Sequence, residues 1–177
     1  MAYAQEPDSL VWAVRGDGAL LSCTIDRDQQ PSVLAWALHE TDGVVECVAT
    51  MPTSDSEQVW VIVRRTVDGA TVRYLERLEE DWEPWPTSYV PPEGIEAPNF
   101  GFTVDCGIAF DGAATDTFAM PHLVGKTVAI LADGAKMTPQ IVPADGNVVL
   151  PRDAERVLIG LPFESRITLL TPEVQGA

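Results

Sequence analysis

The chain has 177 residues, 27 of them acidic and 11 basic, for a formal net charge of −16. A hydrophobic fraction of 46% supports a real core, in one medium domain or two small ones, and excludes a disordered chain. The acidic excess excludes a conventional phosphate-gripping function on DNA, RNA or anionic lipid. It divides evenly, −8 over residues 1–80 (6 basic, 14 acidic) and −8 over 81–177 (5 basic, 13 acidic), so no acidic tail accounts for it.

No apolar run approaches the roughly 18–20 residues that a membrane span needs. The N-terminus, Met1-Ala-Tyr-Ala-Gln-Glu-Pro-Asp8, lacks the basic-then-apolar order of a secretory signal. Cys23, Cys47 and Cys106 are odd in number and far apart, each among apolar or β-forming residues; buried, reduced thiols in a protein made in the cytosol are expected.

Six Asp-Gly pairs punctuate the chain, at 17–18, 42–43, 68–69, 111–112, 133–134 and 145–146. Asp-Gly suits the type I′ hairpin turn, which needs positive φ at both central positions. Most are flanked by Val, Ile, Leu, Trp, Thr and Tyr, which fit a pleated, half-buried surface. The expected class is therefore all-β. A first set of strands is read at about 10–15, 19–26, 33–39, 44–50, 58–66 and 70–78. In the last of these, Val72, Tyr74, Glu76 and Leu78 share one face, with Arg73, Leu75 and Arg77 on the other. Helix is expected only as a turn or two within Leu75 to Trp82. A second set of strands is read at about 101–110, 115–119, 126–132, 136–142, 147–151, 155–160 and 164–171.

Between the sets, residues 79–98 hold five prolines, six carboxylates and no basic residue. Such a stretch reads as an extended connection, because proline lacks the N–H and has a fixed φ. The expected organisation is an antiparallel β unit over 1–80, an acidic, Pro-rich linker over 81–100, and a β-barrel or sandwich domain over 101–177. Trp82, Trp85 and Tyr89 in the linker are candidates for a surface or partner contact, since exposed aromatics carry a cost unless they are covered.

Val11-Trp12-Ala13-Val14-Arg15-Gly16-Asp17-Gly18-Ala19 reappears as Val59-Trp60 through Asp68-Gly69-Ala70. A period of roughly 40–50 residues holding four antiparallel strands is the signature of a β-propeller blade. On that reading residues 10–50 form one whole blade, two Asp-Gly hairpins in series, and 58–78 half of the next. One and a half blades leave unpaired edges. Either the chain is a piece of a longer protein, or its first half curls into a small sandwich.

Catalytic constellations are thin. His39, at a strand end, is expected to bond turn backbone, and His122, after Pro121, to be an exposed loop residue. No serine or cysteine lies in a Gly-x-Ser-x-Gly motif. The cysteines and histidines lack the close spacing of a zinc site, and Asp26-Arg27-Asp28 lacks the downstream ligands of a calcium loop. Neither enzyme activity nor a metal or cofactor is expected. A glycosidase-like carboxylate pair, Asp81 with Glu83 or Glu93, would sit on a poor, proline-broken platform. Trp12, Trp36 and Trp60 read as core. Trp82 and Trp85 could stack on sugar, so a carbohydrate-binding module of a phage or bacterial surface protein is the alternative reading.

Val11 to Leu21, Val33-Leu34-Ala35-Trp36 and Asp42 to Val48 resemble a segment common in virion proteins of tailed phages. So do Val59 to Arg65 with Gly69 to Arg77, Gly112-Ala113-Ala114 with Leu123 to Gly134, and the closing Gly160-Leu161-Pro162-Phe163. These are similar to the tail tubular protein B, or nozzle, family of short-tailed phages and to related tail or head-stabilising proteins. The resemblance covers nearly the whole chain apart from about 79–100, which departs from the pattern like an insertion. It implies a non-enzymatic virion (tail) protein, made in the host cytoplasm, with propeller and barrel parts. It also implies assembly with same-chain copies into a six-fold ring beneath the portal and adaptor, whose acidic lumen lets DNA slide. Family proteins are several times longer than this chain.

Overall fold

A computed structural model describes residues 1–5, 9–26, 33–53, 57–78 and 102–166. The protein is all-β: twelve strands and one 3₁₀ turn, Pro121–Leu123, make up the regular structure of the described residues. The expected linker, 81–100, and its Trp82, Trp85 and Tyr89 lie outside them.

Strands β1 (Ala2–Ala4), β2 (Leu10–Val14), β3 (Leu20–Asp26) and β4 (Val33–His39) form one antiparallel meander. Strands β5 (Val44–Pro52), β6 (Glu57–Val67) and β7 (Ala70–Arg77) form a second. Alternation drives both. In β6, Val59, Val61, Val63 and Val67 are buried, with Arg65 in the same phase, while Trp60, Ile62, Arg64 and Thr66 are partly or fully exposed. Their core meets Trp12, Leu20 and Ala4 of the first meander, so the two sheets share one apolar layer.

The whole-blade expectation for residues 10–50 is corrected by this pairing. Asp42-Gly43 closes no hairpin; it carries the chain from β4 in one sheet to β5 in the other. A Cβ at Gly43 would lie 2.8 Å from Val63 Cγ1 and 2.9 Å from the Arg64 carbonyl, so glycine lets the crossover pass close against β6. Only Asp68-Gly69 and Asp133-Gly134 have positive φ at both positions, as two-residue type I′ turns require. Asp17-Gly18 belongs to a longer loop in which the Gly18 N–H bonds the Arg15 carbonyl (2.8 Å) and Gly18 alone has positive φ.

The Val-Trp repeat also inverts in space. Trp12 is buried with its sheet's inner face, whereas β6 buries Val59 and Val61 and leaves Trp60 between them half-exposed. Trp36, expected in the core, is 64% exposed. Residues 75–77 are strand, not helix.

In the second half, the segments read at 101–110 and 115–119 merge into β8 (Asp105–Ala119), and those at 147–151 and 155–160 into β12 (Asn147–Leu161). These two long strands pair with each other across register shifts near Asp111-Gly112 and Pro151, where bulges interrupt the ladder. The expected 136–142 strand breaks into β10 (Ala135–Lys136) and β11 (Gln140–Ile141), both paired to β9 (Thr127–Ala132). The sheet order is β10-β9-β12-β8. Both ends of β12 serve one core: Val148 and Leu150 from one end and Val157, Ile159 and Leu161 from the other meet Phe118, Leu123, Val128 and Ile130. Residues 162–166 are not strand, and 167–171 lie outside the described residues.

Candidate functional site

The densest polar cluster lies where the two halves meet, and it is built on an inward-pointing charge. Arg65 continues the buried phase of Val59, Val61 and Val63 on β6, and its side chain is 2% exposed. Glu76 continues the inward phase of Val72 and Tyr74 on β7. Asp105 opens β8, 40 residues from Arg65 in sequence. The Arg65 Nε donates to Glu76 Oε1 (2.7 Å), and Nη2 donates to Glu76 Oε2 (2.7 Å) and Asp105 Oδ1 (2.8 Å). Nη1 donates to Asp105 Oδ2 (3.0 Å) and the Asp42 carbonyl (2.8 Å). A guanidinium has five N–H donors, and all five are used.

Further bonds close the cluster. The Thr41 hydroxyl lies 2.8 Å from both Asp105 oxygens, and the Asp42 N–H donates to Asp105 Oδ2 at 2.9 Å. Lys126 Nζ donates to Asp42 Oδ2 at 2.6 Å. Burial opposes the charge on Arg65, but the hydrogen bonds to Glu76 and Asp105 outweigh it and hold the guanidinium protonated more firmly than usual. Burial likewise opposes ionisation of Asp105; the donors on Arg65, Asp42 and Thr41 prevail and hold its carboxyl below the ordinary range.

Cys106 follows, half-buried and reduced, with φ of 50°. Burial foremost, then neighbouring Glu76, pushes its thiol up to about 12. Such a thiol stays protonated near neutrality and is a poor nucleophile. His122 is not the exposed loop residue expected: its Nε2 lies 3.2 Å from the Cys106 carbonyl, and its ring stands edge-on to Tyr74 at 6.1 Å. The Tyr74 hydroxyl donates to the His122 carbonyl at 3.3 Å. Cys23 is buried as expected, whereas Cys47 is exposed on β5.

His39 shares a 2.8 Å hydrogen bond with Ser22 Oγ, and its ring lies 5.0 Å from that of Trp12. A serine–histidine contact of this length is the geometry that nucleophilic catalysis uses. Here, however, Ser22 is 6% exposed on the inner face of its sheet, in register with buried Trp12. The pair is a satisfied polar contact within the packed layer. Next to the Arg65 cluster a cleft of about 280 Å³ is lined by Glu40, Asp42, Asp105 and Glu164, with Thr41, Pro162 and Phe163. Its four carboxylates disfavour anions.

Comparison with protein-family models and with curated proteins finds no match to this chain.

The sequence pattern put Glu76 on one face with Val72 and Tyr74, without saying which face turns inward, and did not single out Arg65 or Asp105. An arginine in phase with four buried valines was the available signal for one of them. Asp105 carried none, since its partner lies on a different sheet. Asp81, Glu83 and Glu93, the carboxylates considered for hydrolysis, lie outside the described residues, as do Arg27 and Asp28. Among the described residues no group of three or more His, Cys, Asp or Glu side chains is arranged to hold a metal ion. Among the same residues no helix is long and apolar enough to cross a membrane.

Proposed function

We propose that the chain is a non-enzymatic structural protein of a short-tailed phage virion. In this reading it is a nozzle-type tail component that acts as scaffold and protein–protein contact domain around the DNA exit path. The two facing meanders at its start would act as propeller-blade-like sheets and the second half as a compact barrel or sandwich. The observation that carries the reading is the saturated cluster around Arg65. It ties two β cores together and spends every guanidinium donor internally, which suits a rigid structural part better than a ligand site. The net charge of −16 adds to it, because a strongly acidic surface lets a polyanion pass without adhering. Portal or adaptor proteins and same-chain copies are the partners proposed.

The test is reconstitution. The chain, and any longer open frame that contains it, is mixed with portal and adaptor rings of a short-tailed phage and inspected by negative-stain microscopy. Added density at the tail vertex is expected, together with no retardation of duplex DNA at low salt. Absence of both ring formation and particle association from the longest product would remove the reading.

A further inference from the structure

Strand β4 lies at the end of its sheet, paired to β3 on one side, and among the described residues no strand pairs with its other side. Its sequence is Val33-Leu34-Ala35-Trp36-Ala37-Leu38-His39, with no Asp, Glu, Lys, Arg or Pro in a chain that carries 38 charged residues (27 acidic plus 11 basic). Native edge strands are ordinarily blunted by charge, proline or a bulge, because an uncharged flat edge recruits another strand. On one face of β4, Leu34 is 68%, Trp36 64% and Leu38 48% exposed. That face extends across the meander, since Tyr3, Val11, Cys23 and Trp36 stand in direct cross-strand register. The opposite face of the same meander carries Trp12 and Leu20 and is already packed on the second sheet.

We propose that the edge of β4 is the pairing surface for a second copy of this chain. The choice of occupant comes from the strand itself. Leu34-Ala35-Trp36-Ala37-Leu38 reads the same in both directions, so an antiparallel two-fold contact centred on Trp36 sets large side chains opposite large ones and small opposite small. Antiparallel pairing about Trp36 sets Leu34 against Leu38 of the second copy, Ala35 against Ala37, and Trp36 against its own equivalent. All the large side chains then fall on one face, and a one-residue slip would put them on opposite faces. Two four-stranded meanders become one sheet of eight strands with a continuous apolar row at its centre. The contact is closed, so it does not itself build a ring, and it stands independently of the phage reading.

Light scattering after size exclusion is expected to give twice 19.2 kDa at high protein concentration, with the dimer favoured as salt screens the like charge of the copies. Trp36→Lys replaces an exposed side chain, so it should keep the far-ultraviolet circular dichroism of the parent and be monomeric. Register is read by oxidation in a Cys47→Ser background. Leu34→Cys mixed with Leu38→Cys should cross-link, because opposed residues lie about 4.5–5.5 Å apart. Leu34→Cys alone should not, because its own equivalent lies four residues away, about 13 Å. A monomeric parent, a dimer that survives Trp36→Lys, or equal cross-linking by Leu34→Cys alone would each overturn the proposal. None of these outcomes bears on whether the chain joins phage particles.

Discussion

Arg65 holds two carboxylates that are themselves only 18% and 15% exposed at Glu76 and Asp105. Taking the cation away leaves two anions facing each other in a site that water reaches poorly. Breaking a buried pair in this way costs about 3–5 kcal/mol, so Arg65→Met should lower the urea midpoint sharply. The triple replacement Arg65→Met, Glu76→Gln, Asp105→Asn removes the stranded charges and should recover part of that loss. If the triple variant is no more stable than Arg65→Met, repulsion between the carboxylates is not the cause. The pH dependence follows from Asp105, whose folded pKa is depressed. Its contribution is complete above the unfolded value of about 3.9 and is lost as pH falls through the lower folded value. Asp17, Glu46 and Asp133 are depressed as well, so wild type loses stability in acid from several sources. The diagnostic is the difference: Asp105→Asn should be less stable than wild type at pH 7, with the gap narrowing below about pH 4.

Turns and bulges, more than strand propensity, decide how the elements meet. The strand at 33–39 matches its expectation in both bounds, and β2, β3, β5, β6 and β7 fall within about two residues of theirs. What one-dimensional reading misplaced was partnership. Asp42-Gly43 has the composition of a hairpin turn yet joins two sheets, and the Val-Trp repeat compares letters without comparing faces, so Trp12 points in where Trp60 points out. Arg65 was readable as inward from the valines around it, but its bond to Asp105 depends on how two sheets dock. Asp133 shows how much one turn residue can organise. At the first position of a type I′ turn, its carboxylate accepts from the N–H groups of Glu155 and Arg156 (3.0 Å each) and from Arg152 Nη1 (2.7 Å). Those bonds, the Arg156 N–H foremost, hold its carboxyl below the ordinary range and pin the irregular stretch of β12 between Val149 and Arg156. Asp133→Ala should therefore cost about 1–2 kcal/mol, chiefly by placing alanine at positive φ, since the exposed N–H groups of Glu155 and Arg156 that it releases can turn to water. Asp133→Asn keeps an acceptor and tolerates that backbone, so it should cost less. Thermal unfolding of the two variants reads the order, and equal losses would show that the positive φ is not the cause.

At the scale of the whole molecule, two apolar cores are joined through a small set of polar contacts while the chain carries sixteen excess negative charges. The Arg65 pairs are buried and little screened, whereas the acidic surface repels itself through solvent and is fully subject to screening. Several exposed ion pairs, such as Arg15 with Asp17 and Arg73 with Glu46, pull the other way, but surface pairs contribute little individually. Repulsion therefore dominates the salt response. Raising NaCl from about 0.01 M to 0.1 M shortens the screening length from about 30 Å to 10 Å, and stability should rise rather than fall. A gain of about 1 kcal/mol corresponds to roughly 2–4 °C in Tm for a chain of this size. The measurement is made on Trp36→Lys, so that salt-driven pairing of copies does not add its own stabilisation to the shift. A flat or falling Tm would mean that the surface ion pairs outweigh the excess charge.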